Sequence, residues 1–222
     1  MGHHGGMSST VHAATPLAQL GPIAQLRAGR LVRRLPQLYV GLFLYGVSLA
    51  MMVRSALGLA PWDVLHSGFV SHVPMTLGEA VIAFSFVVLV LWIPLREMPG
   101  LGTISNAIVV GLSADATLSA LSAPDAMVAR VVLLLGGVVL CGVASALYIG
   151  AQLGRGPRDG LMTGLARRTG LSLRRVRTGL EVAVVVIGLL LGGVAGIGTV
   201  VYALSIGALT QLMLPWFTLD LG

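Results

Sequence analysis

The stretch GRGPRDG, residues 154–160, crowds two arginines, an aspartate, a proline and three glycines into a chain that is only 10% charged. The stretch GLAPWDV, residues 58–64, has the same skeleton, Gly-x-x-Pro-x-Asp. Sliding the chain by the 96 residues that separate Gly58 from Gly154 aligns 32–118 with 128–214 at 24 identities and without a gap. The matches gather on residues that set backbone geometry. Gly58, Pro61 and Asp63 fall on Gly154, Pro157 and Asp159, and GLGT at 100–103 falls on GIGT at 196–199. Arg34 falls on Arg130.

Each copy of the motif reads as a helix start. Proline suits the first helical position, where its missing N–H costs nothing. An aspartate two residues later lies in the first turn, beside free N–H groups and the positive end of the helix dipole. The motif therefore predicts short helices over 61–71 and 157–169, the second closed by Gly170, with Gly58 and Gly154 breaking the helix before each. Thr76 with Glu79 forms a capping box for the next helix, and Ser172 takes the same place in the second copy.

The chain of 222 residues is 56% hydrophobic, whereas a soluble domain is about a quarter charged. Its solvent is lipid. Six stretches approach the length that spans a bilayer: 35–53, 79–95, 101–121, 131–153, 178–196 and 198–217. All 14 basic residues are arginine, and the net charge is +6. Those arginines flank the spans, which points to topology and excludes nucleic acid as the partner. With the N-terminus inside, twelve arginines face the cytoplasm and two, Arg54 and Arg130, face outward. Both termini are then cytoplasmic. The lone Cys141 rules out an internal disulfide and reads as a packing residue. Trp62, Trp92 and Trp216 read as interface anchors.

Three spans per copy is an odd number, so the second copy enters the membrane from the opposite side. The expected fold is an all-α polytopic membrane protein of about six transmembrane helices, arranged as two inverted three-helix repeats, each with a Pro-initiated short or re-entrant helix. Residues 1–31 are expected to be a polar flexible N-terminal tail, 32–121 membrane repeat 1, 122–217 membrane repeat 2, and 218–222 a short C-terminal tail.

GLAPWDVL, GLGT, GRGPRDGLM and GIGT, in this order and at this spacing, resemble the YczE/YitT-type family of bacterial integral membrane proteins. The similarity covers about 32–215. It implies a multi-pass protein of the bacterial inner membrane and brings no mechanism with it.

The candidate site residues are the polar groups in or near the spans. Asp63 and Asp159 are either structural caps in interfacial loops or, with Arg158, the mouths of half-helices lining a pathway. Glu181, four residues after Arg177, is either a surface ion pair or a proton or cation acceptor. Arg54 is an interface anchor or a carboxylate clamp, and Asp115 lies near the outer headgroups or on the pathway. Asn106 caps or bonds a neighbouring helix. His66, one turn after Asp63, is too lonely a partner for a metal and reads as a packing or pH-sensitive residue. Arg167, Arg168, Arg174, Arg175 and Arg177 form a basic cytoplasmic loop suited to anionic lipid.

Two functions fit this pattern. One is a small secondary transporter or exporter, with the paired helix breaks lining the pathway of a small molecule. The other is a non-transporting scaffold or accessory protein that binds anionic lipid or a partner through its basic loop. No metal cluster, nucleophile–base pair or phosphate loop is legible, so an enzyme, a metal and a cofactor are not expected.

Overall fold

A computed structural model describes residues 20–221; residues 1–19, most of the expected tail, and Gly222 lie outside the described residues. Among the described residues every regular element is a helix: α1 Pro22–Arg27, α2 Leu31–Ser55, α3 Pro61–Val70, α4 Leu77–Leu95, α5 Leu101–Ala120, α6 Met127–Gly150, α7 Pro157–Thr169, α8 Leu173–Leu190 and α9 Ile197–Phe217. The starts of α2, α3, α4 and α5 recur 96 residues later as the starts of α6, α7, α8 and α9.

Five helices, α2, α4, α5, α6 and α9, are long and apolar enough to cross a membrane. The expected sixth span, 178–196, falls on α8 with other bounds. Ser172 caps the helix, its hydroxyl accepting from Arg175 N, so α8 begins at Leu173 and takes in Arg174, Arg175, Arg177 and Glu181. It stops at Leu190, ahead of Gly192 at φ 78°. The charged first half keeps α8 out of the apolar set. Within the span of the expected tail, part of the chain is helical. Residues 22–27 form α1, held by Arg34 Nη1 donating to Gln25 O at 2.6 Å.

The short helices stand where the prolines predict, at 61–70 and 157–169, and Gly170 at φ 71° ends the second. Thr76 and Glu79 complete the capping box of α4. The break itself lies earlier than Gly58 and Gly154. It comes at Ala56 (φ 52°) and Gln152 (φ 53°), non-glycine residues in the left-handed region and again 96 apart.

Two arginines hold these turns, Arg34 fully buried and Arg130 half-buried. Arg34 sends Nε to Ala151 O at 2.8 Å and Nη2 to Gln152 O at 2.7 Å. Arg130 sends Nε to Ser55 O at 2.7 Å and Nη2 to Ala56 O at 3.0 Å. Each guanidinium binds the carbonyls left open at a helix C-terminus and faces the negative end of its dipole. Each reaches the other copy's helix, so α2 and α6 run antiparallel. Glycines let them close: a Cβ at Gly41 would sit 2.8 Å from Tyr148 N, and one at Gly137 3.1 Å from Ser48 O.

The loops after the breaks cross over in the same way. Gly102 N donates to Leu153 O at 2.7 Å, and Gly198 N donates to Leu57 O at 2.8 Å. Gly58 and Gly154, at φ 126° and 135°, lie directly against Gly196 and Gly100 of the opposite GxGT turn. A Cβ on Gly58 would meet Gly196 N at 2.8 Å in a backbone region closed to other residues. Gly58→Ala and Gly154→Ala are each expected to cost about 2 kcal/mol, read as lower midpoints in thermal or denaturant unfolding of the purified protein.

The short helices are exchanged: α3 packs on α8, and α7 packs on α4. Trp92 of α4 fits over Gly160 of α7 and donates its indole N–H to Pro157 O at 2.9 Å. Trp92 and Trp62 are thus core residues, 2% and 8% exposed, rather than the expected interface anchors; Trp216, at 78%, is exposed.

Candidate functional site

The two breaks meet at a cavity of about 210 Å³ between the halves. Its walls come from α2 to α9: Tyr45, Trp62, Ser85, Asn106, Tyr148, Arg158, Asp159, Arg177, Glu181 and Tyr202 supply the polar and aromatic surface, with Val81, Val110 and Ile206 among the apolar residues. A wider vestibule of about 580 Å³ opens beside it, bordered by Leu20–Gln25, Arg96, Glu97, Arg155 and Arg167. Asp159 and Ile149 border both spaces.

Asp63 and Asp159 do not cap their helices. The N-cap positions are held by Ala60 and Gly156, and each aspartate is the third residue of its helix. Proline removes one N–H of the first turn, and Ala60 O already accepts from Asp63 N and Val64 N, leaving the carboxylate little to bind there. Asp63 instead turns inward. It is 4% exposed, with its Oδ1 3.0 Å from His66 Nδ1 and 3.7 Å from Arg158 Nη2. That last contact joins the break of one half to the break of the other. Arg158 also lies over the Trp62 ring at 5.2 Å, a cation–π arrangement. Asp159 accepts from the Tyr148 hydroxyl at 2.7 Å and remains exposed toward the vestibule.

Glu181 and Arg177 pair at 2.8 Å on the cavity wall. Asn106 lines the cavity. Two other candidates lie elsewhere. Arg54 Nη2 donates to Leu118 O near the end of α5. Asp115 accepts from Thr76 Oγ1 and from Gly78 N at 2.8 Å, tying α5 to the start of α4. Both are structural fastenings. Asp115→Asn is expected to cost about 1 kcal/mol in unfolding and to leave any activity of the cavity unchanged; a stability assay run beside a flux assay checks both halves of that statement.

The basic loop is partly engaged. Arg167 Nη2 donates to Leu95 O at 2.7 Å and its Nη1 lies 3.0 Å from Glu97, while Arg168 Nη1 donates to Pro94 O at 2.5 Å. These two close the C-terminus of α4. Arg174 and Arg175 are exposed. Cys141 is buried with its Sγ 3.6 Å from the Tyr202 hydroxyl. Among the described residues no group of three or more His, Cys, Asp or Glu could hold a metal ion.

Reading the sequence missed the tyrosines. The chain has four, and Tyr45, Tyr148 and Tyr202 all meet in this cavity. Their scarcity in so apolar a chain was the available signal. It also counted Arg34 and Arg130 only as topology markers, although their match across the 96-residue shift was visible.

Comparison with known proteins agrees with this picture of a membrane protein. A family model described as a family of unknown function, DUF6198, matches residues 32–215. An uncharacterised protein of Haemophilus influenzae is 41% identical over 177 residues, covering 80% of this chain and 81% of its own. The uncharacterised membrane protein YczE of Bacillus subtilis is 31% identical over 188 residues, covering 83% and 87%. The uncharacterised protein YyaS of the same organism is 24% identical over 183 residues, covering 79% and 90%. No solved structure gives a significant match.

Proposed function

The chain belongs to the DUF6198 family and has YczE as a relative, and we propose that this membrane protein is a small secondary transporter or exporter built as an inverted-topology duplication. The observation that carries the reading is the cavity between the two breaks, with Arg158 of one half in contact with Asp63 and Trp62 of the other. Antiparallel α2 and α6, and hydrogen bonds that recur at a 96-residue shift, support an approximate twofold relation between the halves. Rocking one half against the other would open the cavity to alternate sides, as in other inverted-repeat folds. With α8 as the sixth crossing, the charge count favours both termini in the cytoplasm, and the bacterial relatives favour an inner membrane, which puts the vestibule beside Asp159 on the inner side.

The scaffold alternative has less to draw on. Two of the five arginines assigned to a lipid-binding loop close α4, and a third is bonded to Glu181, leaving Arg174 and Arg175. Cysteines placed singly at 63 and 159, with Cys141 removed, test the transporter reading in sealed vesicles. A pathway predicts labelling from water on a side that changes with conformation, together with flux of a solute into liposomes. Labelling of each site from one fixed side, with no flux across a broad panel of metabolites, would sink it.

A further inference from the structure

We propose that the central cavity takes a small organic cation, an alkylated ammonium, seated on Asp159 and caged by Tyr45, Tyr148 and Tyr202. This rests on reading the cavity as the substrate site.

The charges on its wall decide the sign of the ligand. Arg177 is bonded to Glu181 at 2.8 Å, and Arg158 faces Asp63 at 3.7 Å. Both cations are answered by a carboxylate of the protein. Asp159 accepts from a neutral phenol and, among the described residues, has no basic side chain in ion-pair contact. It stands where the cavity meets the vestibule, open to an arriving solute. The unanswered charge on the cavity wall is therefore negative, while the vestibule outside it carries Arg96, Arg155 and Arg167 against Glu97.

The walls decide what kind of cation. Three of the chain's four tyrosines border about 210 Å³, while the Trp62 ring is already covered by Arg158. Tyr45 and Tyr148 meet edge to face, centroids 6.2 Å apart. Aromatic faces beside a carboxylate attract weakly hydrated ammonium groups. A single carboxylate with neutral phenols is a poor exchange for the water shell of a divalent metal, which demands several charged oxygens. The volume lies below the ~300 Å³ lower end of drug-sized pockets, so the cation is small. In the twofold-related positions the second half supplies Arg158, Arg177 and Glu181 where the first supplies Trp62, Val81 and Ser85. The second half thus supplies the charges of the cavity, and both halves supply its rings, Tyr45 and Trp62 from the first and Tyr148 and Tyr202 from the second.

Isothermal titration of the purified full chain with tetramethylammonium chloride tests this, with sodium chloride, sodium acetate and glycine betaine titrated at equal ionic strength. Saturable binding of tetramethylammonium is expected, weaker or absent for the others. Asp159→Asn should weaken it by about tenfold or more, while Asp159→Glu, which keeps the charge, should retain it. Tyr148→Phe keeps the ring and should change affinity less than Tyr148→Ala. Titration of the wild-type chain indistinguishable from sodium chloride overturns the proposal. So does saturable binding of acetate alone, or an Asp159→Asn protein that melts like wild type and binds as tightly. Binding is read at equilibrium and needs no flux. A chain that binds tetramethylammonium but moves nothing in liposomes overturns the transporter reading alone. One that moves other solutes without binding it overturns the ligand class alone.

Discussion

Arg34→Met is expected to destabilise the protein by about 3 kcal/mol, because it strands buried carbonyls that nothing else can reach. The Arg34 side chain is 0% exposed and donates to Ala151 O, Gln152 O and Gln25 O. The first two belong to the end of α6, where the chain leaves the helix and turns through a left-handed Gln152. Each buried carbonyl left unpaired costs about 1–3 kcal/mol, and the unfavourable φ at Gln152 loses the contact that holds it. Methionine keeps most of the aliphatic volume, so the loss isolates the hydrogen bonds from the packing. Arg130 makes the mirrored contacts to Ser55 O and Ala56 O, but the latter bond is exposed. Water can replace part of it. Arg130→Met should therefore cost only about half as much. Denaturant unfolding of the two variants in the same detergent checks the ranking. Equal losses would mean that the two turns are not distinguished by burial, and no loss for Arg34→Met would remove the fastening role.

The architecture was legible in the sequence wherever geometry constrained identity. Pro61 and Pro157 marked the starts of α3 and α7 to the residue, because proline is confined to the first turn. Gly58 and Gly154 marked the crossing loops, because a positive φ against an opposing backbone admits nothing larger. Side-chain direction was not legible. Asp63 and Asp159 occupy a capping position in the sequence, yet their carboxylates point into the protein, one to Arg158 and one to Tyr148. That outcome depends on which helix lies opposite, and the exchange of α3 and α7 between the halves is a tertiary fact. It did leave a trace. Trp92 opposite Gly160 corresponds, under the 96-residue shift, to Gly188 opposite Val64. The large and small partners swap together, as close packing requires. Comparing the two halves for such compensations would have placed α7 on α4 and moved Trp62 and Trp92 from the interface to the core. The cavity lay further out of reach, since its tyrosines come from α2, α6 and α9 and carry no local spacing.

The contact between the breaks gives the second large effect. Arg158→Met should lower stability by about 2–3 kcal/mol, since it leaves the Asp63 carboxylate buried without its cation. The figure is set below that for a fully buried pair because the Arg158 side chain is 19% exposed and 3.7 Å away. His66, at 3.0 Å from the same oxygen, answers only part of the charge and is itself buried with its Nε2 unpartnered. Asp63→Asn should cost less. It removes the charge and keeps a hydrogen-bonding side chain of nearly the same shape, while Arg158 retains the Trp62 ring and access to the cavity. The double variant should recover about 1–2 kcal/mol relative to the sum of the single changes, because removing both charges also removes the stranded one. This coupling crosses from one half of the molecule to the other. In a transporter that rocks about its breaks, the same pair holds the conformation seen here, so Asp63→Asn should shift the cavity toward opening on the opposite side. Accessibility of a cysteine at position 159 measures that shift. An additive double variant with unchanged accessibility would reduce the pair to two neighbours without a shared role, whereas coupling in stability accompanied by a change in labelling ties the packing of the breaks to their movement.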